Sequence, residues 1–325
     1  MMNRRSILAL TASTLAAPRM ARAAGFPEGP VTLIVAWPAG GGSDVSMRLV
    51  AEALSRRLGV PVLVENRPGA AGTIGHRAIA TARPDGQTIG MFSQDAITAQ
   101  YGNANAPALT EFVPLGFFGE EPGSLQVHPG TGITTLAEYI ARAKAAPGKL
   151  RNGGNPAPGA SFLYMAYYER KLDIRVTKVA YAGYAPTVTA VLSGEVDSGS
   201  VPVPDVIEHH NAGRLRLLAV SGAERHFMAP NVPTFRELGH DVVIGGWRSL
   251  AAPAGVPADR LAVLRENLLA VFKDTEFQTK ARHAGFAVTP GDHARTAAAW
   301  VEADTSIYPI MDELGLIKAR RKQGT

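Results

Sequence analysis

Two glycine-rich turns carry the residue types of a binding site. Gly40-Gly41-Gly42-Ser43-Asp44 lies between an apolar run and a stretch of helical periodicity. Glycine lets backbone come close to a ligand, and the free N–H groups at the positive end of a following helix favour an anion. Gly153-Gly154-Asn155-Pro156-Ala157-Pro158-Gly159-Ala160-Ser161 has the same character and also precedes a helical pattern. Two such turns facing each other would grip a small anion from both sides. Taken singly, either reads equally well as a tight strand-to-helix turn. A third cluster, Gly69 to Gly75, follows Arg67-Pro68 and lacks the G-x-G-x-x-G spacing of a dinucleotide site. No G-x-x-x-x-G-K-[ST] occurs, which excludes a P-loop.

Catalytic patterns are missing. There is no G-x-S-x-G, no H-E-x-x-H and no S-x-x-K with plausible partners. His209 and His210 are adjacent, so on a helix they point apart and would not share a metal. His76, His128, His226, His240, His283 and His293 are scattered and read as solvated or hydrogen-bonded structural residues. Asp197 reads as a polar residue at a strand, with a catalytic role as the alternative. The chain has no cysteine, which removes thiolate metal sites, iron–sulfur clusters and cysteine nucleophiles. The expectation is a binding protein without catalysis, cofactor or metal.

The elements that position these turns alternate. Val31 to Ala36 is a nearly continuous apolar run, long enough for one buried strand. Ser43 is placed to cap the helix that follows, with Asp44 in its first turn and Gly59 at its end. Val60–Val64 is a second strand, Ile74–Ala82 a helix and Thr88–Phe92 a strand. Thr135-Leu136-Ala137-Glu138 is a capping box opening a helix to Ala146. Gly153 to Gly159 is a loop before a helix at Ala160–Lys171. Strands follow at Arg175–Val179, Val196–Val201 and Leu215–Ser221, with a helix at Ala185–Ser193. Helices cover Asp259–Lys273, Thr275–His283 and Asp292–Leu314, the last kinked or ended early by Pro309. Such alternation predicts an α/β protein with mainly parallel sheets.

The 325 residues suggest two domains, and 46% apolar against 19% charged residues is a globular composition. Four of the 33 basic residues, Arg4, Arg5, Arg19 and Arg22, fall in the first 23 positions, which hold no acid. The rest is close to neutral, with no basic stripe to mark a nucleic-acid partner. Asn3-Arg4-Arg5-Ser6-Ile7-Leu8, an apolar stretch to Ala17 and Ala21-Arg22-Ala23 form the three-part layout of an export signal over residues 1–23. The paired arginines suggest the twin-arginine route, with Sec export as the alternative. An ordinary amphipathic N-terminal helix is the plainer reading of the same residues. The apolar run is shorter than the roughly 20 residues a bilayer span needs. Ser124–His128 and Trp247–Ala252 are extended and precede Pro-Gly and Pro-Ala-Gly turns. If both cross between domains, one lobe is 24–123 plus 250–325 and the other is 124–249. The cleft between them would be the binding site.

At this point the residues match a known family. Val31-Thr32-Leu33-Ile34-Val35-Ala36-Trp37-Pro38-Ala39-Gly40-Gly41-Gly42-Ser43-Asp44 is the first signature, and Val64-Glu65-Asn66-Arg67-Pro68-Gly69-Ala70-Ala71-Gly72 the next. Ala82-Arg83-Pro84-Asp85-Gly86, Ala146-Pro147-Gly148-Lys149-Leu150, Tyr181-Ala182-Gly183-Tyr184-Ala185-Pro186, Gly194-Glu195-Val196-Asp197, Asn231-Val232-Pro233-Thr234 and Ala252-Pro253-Ala254-Gly255-Val256-Pro257 follow in order. With these, the chain resembles the solute-binding proteins of tripartite tricarboxylate transporters, the Bordetella uptake gene (Bug) family. The resemblance implies a periplasmic-binding-protein-like, type II Venus flytrap: two α/β lobes joined by two crossing strands. It implies a monomer that captures a small organic acid and delivers it to membrane permease subunits. Presentation of the ligand to a membrane sensor is the second reading, and an enzyme built on the same lobes the third.

The resemblance also implies where the ligand carboxylate sits. The positions are Trp37, Ala39, Gly40, Gly41, Gly42, Ser43 and Asp44 in the first turn, and Ser93, Gln94 and Asp95 after the third strand. In the second lobe they are Asn155, Ala157, Gly159, Ala160 and Ser161, then Gly183, Tyr184 and Ala185, then Ser200 and Val201. Relatives commonly carry Lys at the place of Ala182, His at Phe162, an acid at Val201 and an aromatic at Arg248, and lack Asp95 and the Glu120-Glu121 pair. If Asp95, Glu120 or Glu121 faces the ligand, a dicarboxylate meets like charge unless a cation such as Arg248 intervenes. The favoured solute is then a monocarboxylate with an amino group or other donor, its donor end near Asp95. The plainer alternative leaves all three acids solvated on the rim.

Overall fold

The computed structural model describes residues 25–320; the expected export signal with its Arg4-Arg5 pair and the tail residues Arg321 and Lys322 lie outside the described residues. Val31–Val35 (β1) buries Val31, Leu33, Ile34 and Val35, as a strand covered by helices on both faces must. The chain then turns through glycines into α1 (Gly42–Leu58), which Gly59 ends at φ 70°. It continues through β2 (Val62–Asn66), α2 (Thr73–Ala80), β3 (Thr88–Ser93), α3 (Gln94–Gly102) and β4 (Phe112–Pro122).

A single residue, Gly123, separates β4 from β5 (Ser124–Val127). There follow α4 (Leu136–Ala145), β6 (Arg151–Gly154), α5 (Ala160–Leu172), β7 (Thr177–Ala180), α6 (Tyr184–Ser193), β8 (Ser198–Gly199), α7 (Ile207–Asn211) and β9 (Arg216–Val220). β10 (Gly245–Pro253), α8 (Ala258–Lys273), α9 (Thr275–His283) and α10 (His293–Glu313) complete the order.

Two five-stranded sheets result, ordered β2-β1-β3-β10-β4 and β7-β6-β8-β5-β9. Each sheet is half parallel and half antiparallel, not mainly parallel. The antiparallel half belongs to the strands beside the two passages between sheets: β4 runs into β5 with no crossover helix, and β10 returns the chain beside β4. The passages touch, because Gly123 O accepts from Ser221 N at 2.9 Å and Ser221 Oγ donates to Ile244 O at 2.6 Å. A side chain at Gly123 would run into Tyr164 and Tyr168 within 2.8 Å, so only glycine fits. Ser124–Val127 lies in the second sheet and Trp247–Ala252 within β10 of the first.

The first sheet is covered by a core around Leu33, Met47, Leu54, Phe118 and Phe272, and by a second around Phe92, Trp247 and Trp300. The other sheet has cores around Tyr139, Tyr168 and Phe235, and around Val191, Val206 and Val220. The Thr135–Glu138 capping box forms as its sequence spacing requires. Four local readings differ from expectation. Gly153 and Gly154 are strand residues of β6 rather than loop. The Val196–Val201 run yields only the two-residue β8. Pro309 sits inside α10 without ending it, close enough to the C-terminus that few turns follow. Helix α3 has no sequence signal, since it is buried on almost every side and lacks amphipathic spacing.

Candidate functional site

The turn after β1 is held by Asp44. Its carboxylate accepts from Gly40 N at 2.9 Å, Arg48 Nε at 3.0 Å and Asn66 Nδ2 at 3.0 Å. Burial would raise its pKa, but the hydrogen bonds from Arg48, Gly40 and Asn66 prevail and hold it low. Gly40 takes φ 84°, open to glycine at no steric cost. Gly41, not Ser43, is the N-cap of α1, and no side chain caps that end. The first N–H groups of α1 therefore stay available.

Three more helices begin at the same place. Gly183, at φ 136°, precedes α6, again with no side-chain cap. Ser93 precedes α3 and Gly159 precedes α5. The N-termini of α1, α3, α5 and α6 converge on a cavity of about 300 Å³. That is the size of a small-metabolite pocket, and four positive helix ends favour a negative group within it. Met91, Tyr164 and Trp247 supply apolar wall.

Of the residues expected at the ligand, Trp37, Ala39, Gly40, Gly41, Gly42, Ser43, Ser93, Gln94, Asp95, Asn155, Ala160, Gly183, Tyr184 and Ala185 line this cavity. Six do not. Asp44 faces its own turn, as described. Gly159 shapes the loop, where a Cβ would lie 2.6 Å from Asn155 Cβ. Ala157 and Ser161 line a separate cavity of about 80 Å³, and Ser161 Oγ is spent on Asn155. Ser200 and Val201 are fully buried; Ser200 Oγ donates to Asn152, and Val201 packs in the second-sheet core.

The charged wall differs from expectation too. Asp95 is neither on a rim nor free for a ligand. It is buried, and its Oδ1 accepts from Ala160 N at 2.8 Å, so it occupies the N-terminus of α5 from the other sheet's side. Burial raises its pKa to about 6 against the bonds from Ala160 and Ser93, with Glu121 adding repulsion. Glu121, partly buried, pairs with the buried Arg248 at 2.7 Å, and the guanidinium lies 4.9 Å over the Phe286 ring. Glu120 points away to solvent and pairs with Arg295. Sequence reasoning passed over Asp205, which ends a single helical turn, Val203–Asp205, and also lines the cavity. Tyr164 was missed although it stands one helical turn after Ala160, a signal the spacing contained.

Elsewhere, Asp197 is a structural partner of Arg151, accepting from its backbone N at 2.8 Å. His76 is fully buried with neither ring nitrogen bonded, and burial depresses its pKa to about 4. Among the described residues no helix is long and apolar enough to cross a membrane.

Comparison with known proteins agrees with this architecture. The sequence profile of the tripartite tricarboxylate transporter family receptor matches residues 46–316. Protein BugT of Bordetella pertussis is 32% identical over 249 residues, 75% of this chain and 76% of its own. The solved periplasmic binding protein BugD superposes with a TM-score of 0.82 at 25% identity, over 91% of this chain and all of its own. A protein of R. palustris solved with adipate superposes at 0.83, also 25% identical, over 89% of this chain and 98% of its own.

Proposed function

Because the chain belongs to the tripartite tricarboxylate transporter receptor family, we propose that it is an extracytoplasmic solute-binding protein. It captures a small carboxylic acid between its two lobes and delivers it to a membrane permease. The observation that carries this reading is the convergence of four helix N-termini on one cavity. Of these ends, α5 is already occupied by Asp95. The ligand carboxylate goes to the uncapped ends of α1 and α6, at Gly41 to Ser43 and Gly183 to Ala185. The adipate bound to the R. palustris relative supports the ligand class. Residues 1–23 direct export and are removed after Ala23; mass spectrometry of the periplasmic protein checks this, and an intact Met1 overturns it.

Thermal-shift screening against organic acids tests the function. A ligand at 100 times its Kd adds about 2.7 kcal/mol to the native state. Gly41→Val is the control. A Cβ there meets nothing closer than Pro38 O at 3.8 Å and the backbone is extended, so the variant folds while its side chain blocks the anion position. Loss of all carboxylate binding in a folded Gly41→Val protein is the expected result. Unchanged affinity overturns this placement, and no response to any carboxylate overturns the function.

A further inference from the structure

Four charged side chains line the cavity: Asp95, Glu121, Asp205 and Arg248. Three are satisfied by protein. Asp95 accepts from Ala160 N and Ser93 Oγ, and Glu121 and Arg248 hold each other. Asp205 is partly exposed as a residue, yet its Oδ2 is sealed from solvent and has no hydrogen-bond partner. An enclosed carboxylate oxygen without a donor is costly. Arg248 pulls on this carboxylate through its charge, but its guanidinium is paired with Glu121 and stacked over the Phe286 ring.

We propose that Asp205, backed by Glu121, receives a cationic nitrogen of the solute, which is therefore a small acid carrying an ammonium group as well as its carboxylate. This rests on the carboxylate-binding reading above and assigns the other end of the ligand. Asp205 sits across from the start of α1: a Cβ on Gly42 would lie 3.8 Å from Asp205 Oδ1 and 3.2 Å from Arg248 Nη2. A ligand whose carboxylate meets the α1 N–H groups thus has its neighbouring groups within reach of Asp205 Oδ1, while the enclosed Oδ2 acts on them through its charge. Burial, then repulsion from Glu121, push the Asp205 pKa up to about 7 against the pull of Arg248. A cation at this spot relieves both causes, whereas the second carboxylate of a dicarboxylate aggravates them. Asp95, expected from sequence to take this role, is already committed to α5.

The test uses the mature protein and matched series of three to six carbons: straight-chain monocarboxylates, ω-amino acids and dicarboxylates, with α-amino acids alongside. Affinities come from calorimetry on wild type, Asp205→Asn and Gly41→Val. Wild type is expected to bind the best amino-bearing acid about tenfold or more tightly than its matched monocarboxylate and dicarboxylate, the scale of one charge-assisted hydrogen bond. Asp205→Asn should erase that preference by weakening the amino-bearing acid relative to its matched monocarboxylate, whose own affinity should rise because a neighbouring negative charge is lost. A wild-type preference for dicarboxylates, or an amino preference that survives in Asp205→Asn, overturns the proposal. Should Asp205→Asn fail to fold by circular dichroism, the wild-type ranking alone decides. Carboxylate binding that Gly41→Val removes, without amino preference, overturns this inference and leaves the function standing. Absence of any carboxylate binding overturns both.

Discussion

Asp44 and Asp95 are both acids in the first turn of a helix, and they act on different things. Asp44 binds its own turn and fixes Gly40, Arg48 and Asn66 around it. Replacing it by alanine strands those donors, so Asp44→Ala should cost about 1–3 kcal/mol in urea denaturation at pH 7. The sign of the pH dependence follows from its lowered pKa. The native state prefers the ionised form, so this stabilisation is present above the ordinary value of 3.8 and is lost as pH falls below it. The gap between wild type and Asp44→Ala should therefore shrink in acid. A constant gap from pH 7 to pH 3 contradicts the assignment. Asp205 is the opposite case, an acid with one buried oxygen, Oδ2, that the folded chain leaves without a donor. It carries no motif and stands in a Pro-Val-Pro-Asp stretch far from either glycine turn, so nothing local marks it. Only the tertiary approach of Gly42 and Arg248 gives it a role.

Legibility at the scale of elements followed how local the cause was. The turn after β1 could be read because its strand, glycines and helix are contiguous, and a glycine run followed by helical periodicity implies free N–H groups. The same holds for Gly183 and α6, where a glycine alone fits φ 136°. Ser200 and Val201 were misplaced because a short apolar segment looks alike whether it lines a cleft or fills a core; here it packs among Val191, Val203 and Val220. Helix α3 was invisible for a related reason. Residues from Gln94 to Tyr101 are all buried, and a helix buried on every side has no polar face to give it a period. The α5 turn was half legible. Its helix was expected, but its N-terminus was assigned to the ligand because the donor and its acceptor, Ala160 and Asp95, are distant in sequence and meet only when the sheets come together.

That meeting puts a titratable acid on the contact between the two sheets. Asp95 comes from the helix after β3, in the first sheet, and Ala160 from the helix after β6, in the second. Among the described residues the chain passes between the sheets only near Gly123 and Ile244, a pair of strands suited to act as a hinge. Asp95 is buried and Asp205 partly buried on the cavity wall, with Glu121, Arg248, Tyr164 and Tyr184. Burial raises the two pKa values to about 6 and about 7. Separation of the two sheets would wet both groups and return them towards 3.8. The closed state thus binds protons more tightly than the open one, and linkage requires that acid favours closure. Ligand-free protein should be most compact near pH 4 and expand as pH rises through 6 and 7, read as radius of gyration by small-angle X-ray scattering. Asp95→Asn keeps the acceptor for Ala160 without the charge, and Asp205→Asn likewise removes a charge at nearly constant shape, so each should shrink the pH-dependent change and the double variant should shrink it most. A radius that does not change with pH, that falls as pH rises, or that responds identically in wild type and both variants would show that these carboxylates do not govern closure. A cationic group held at Asp205 replaces one of these two protons, so an amino-bearing acid should compact the wild-type protein at pH 8 more than its matched monocarboxylate does.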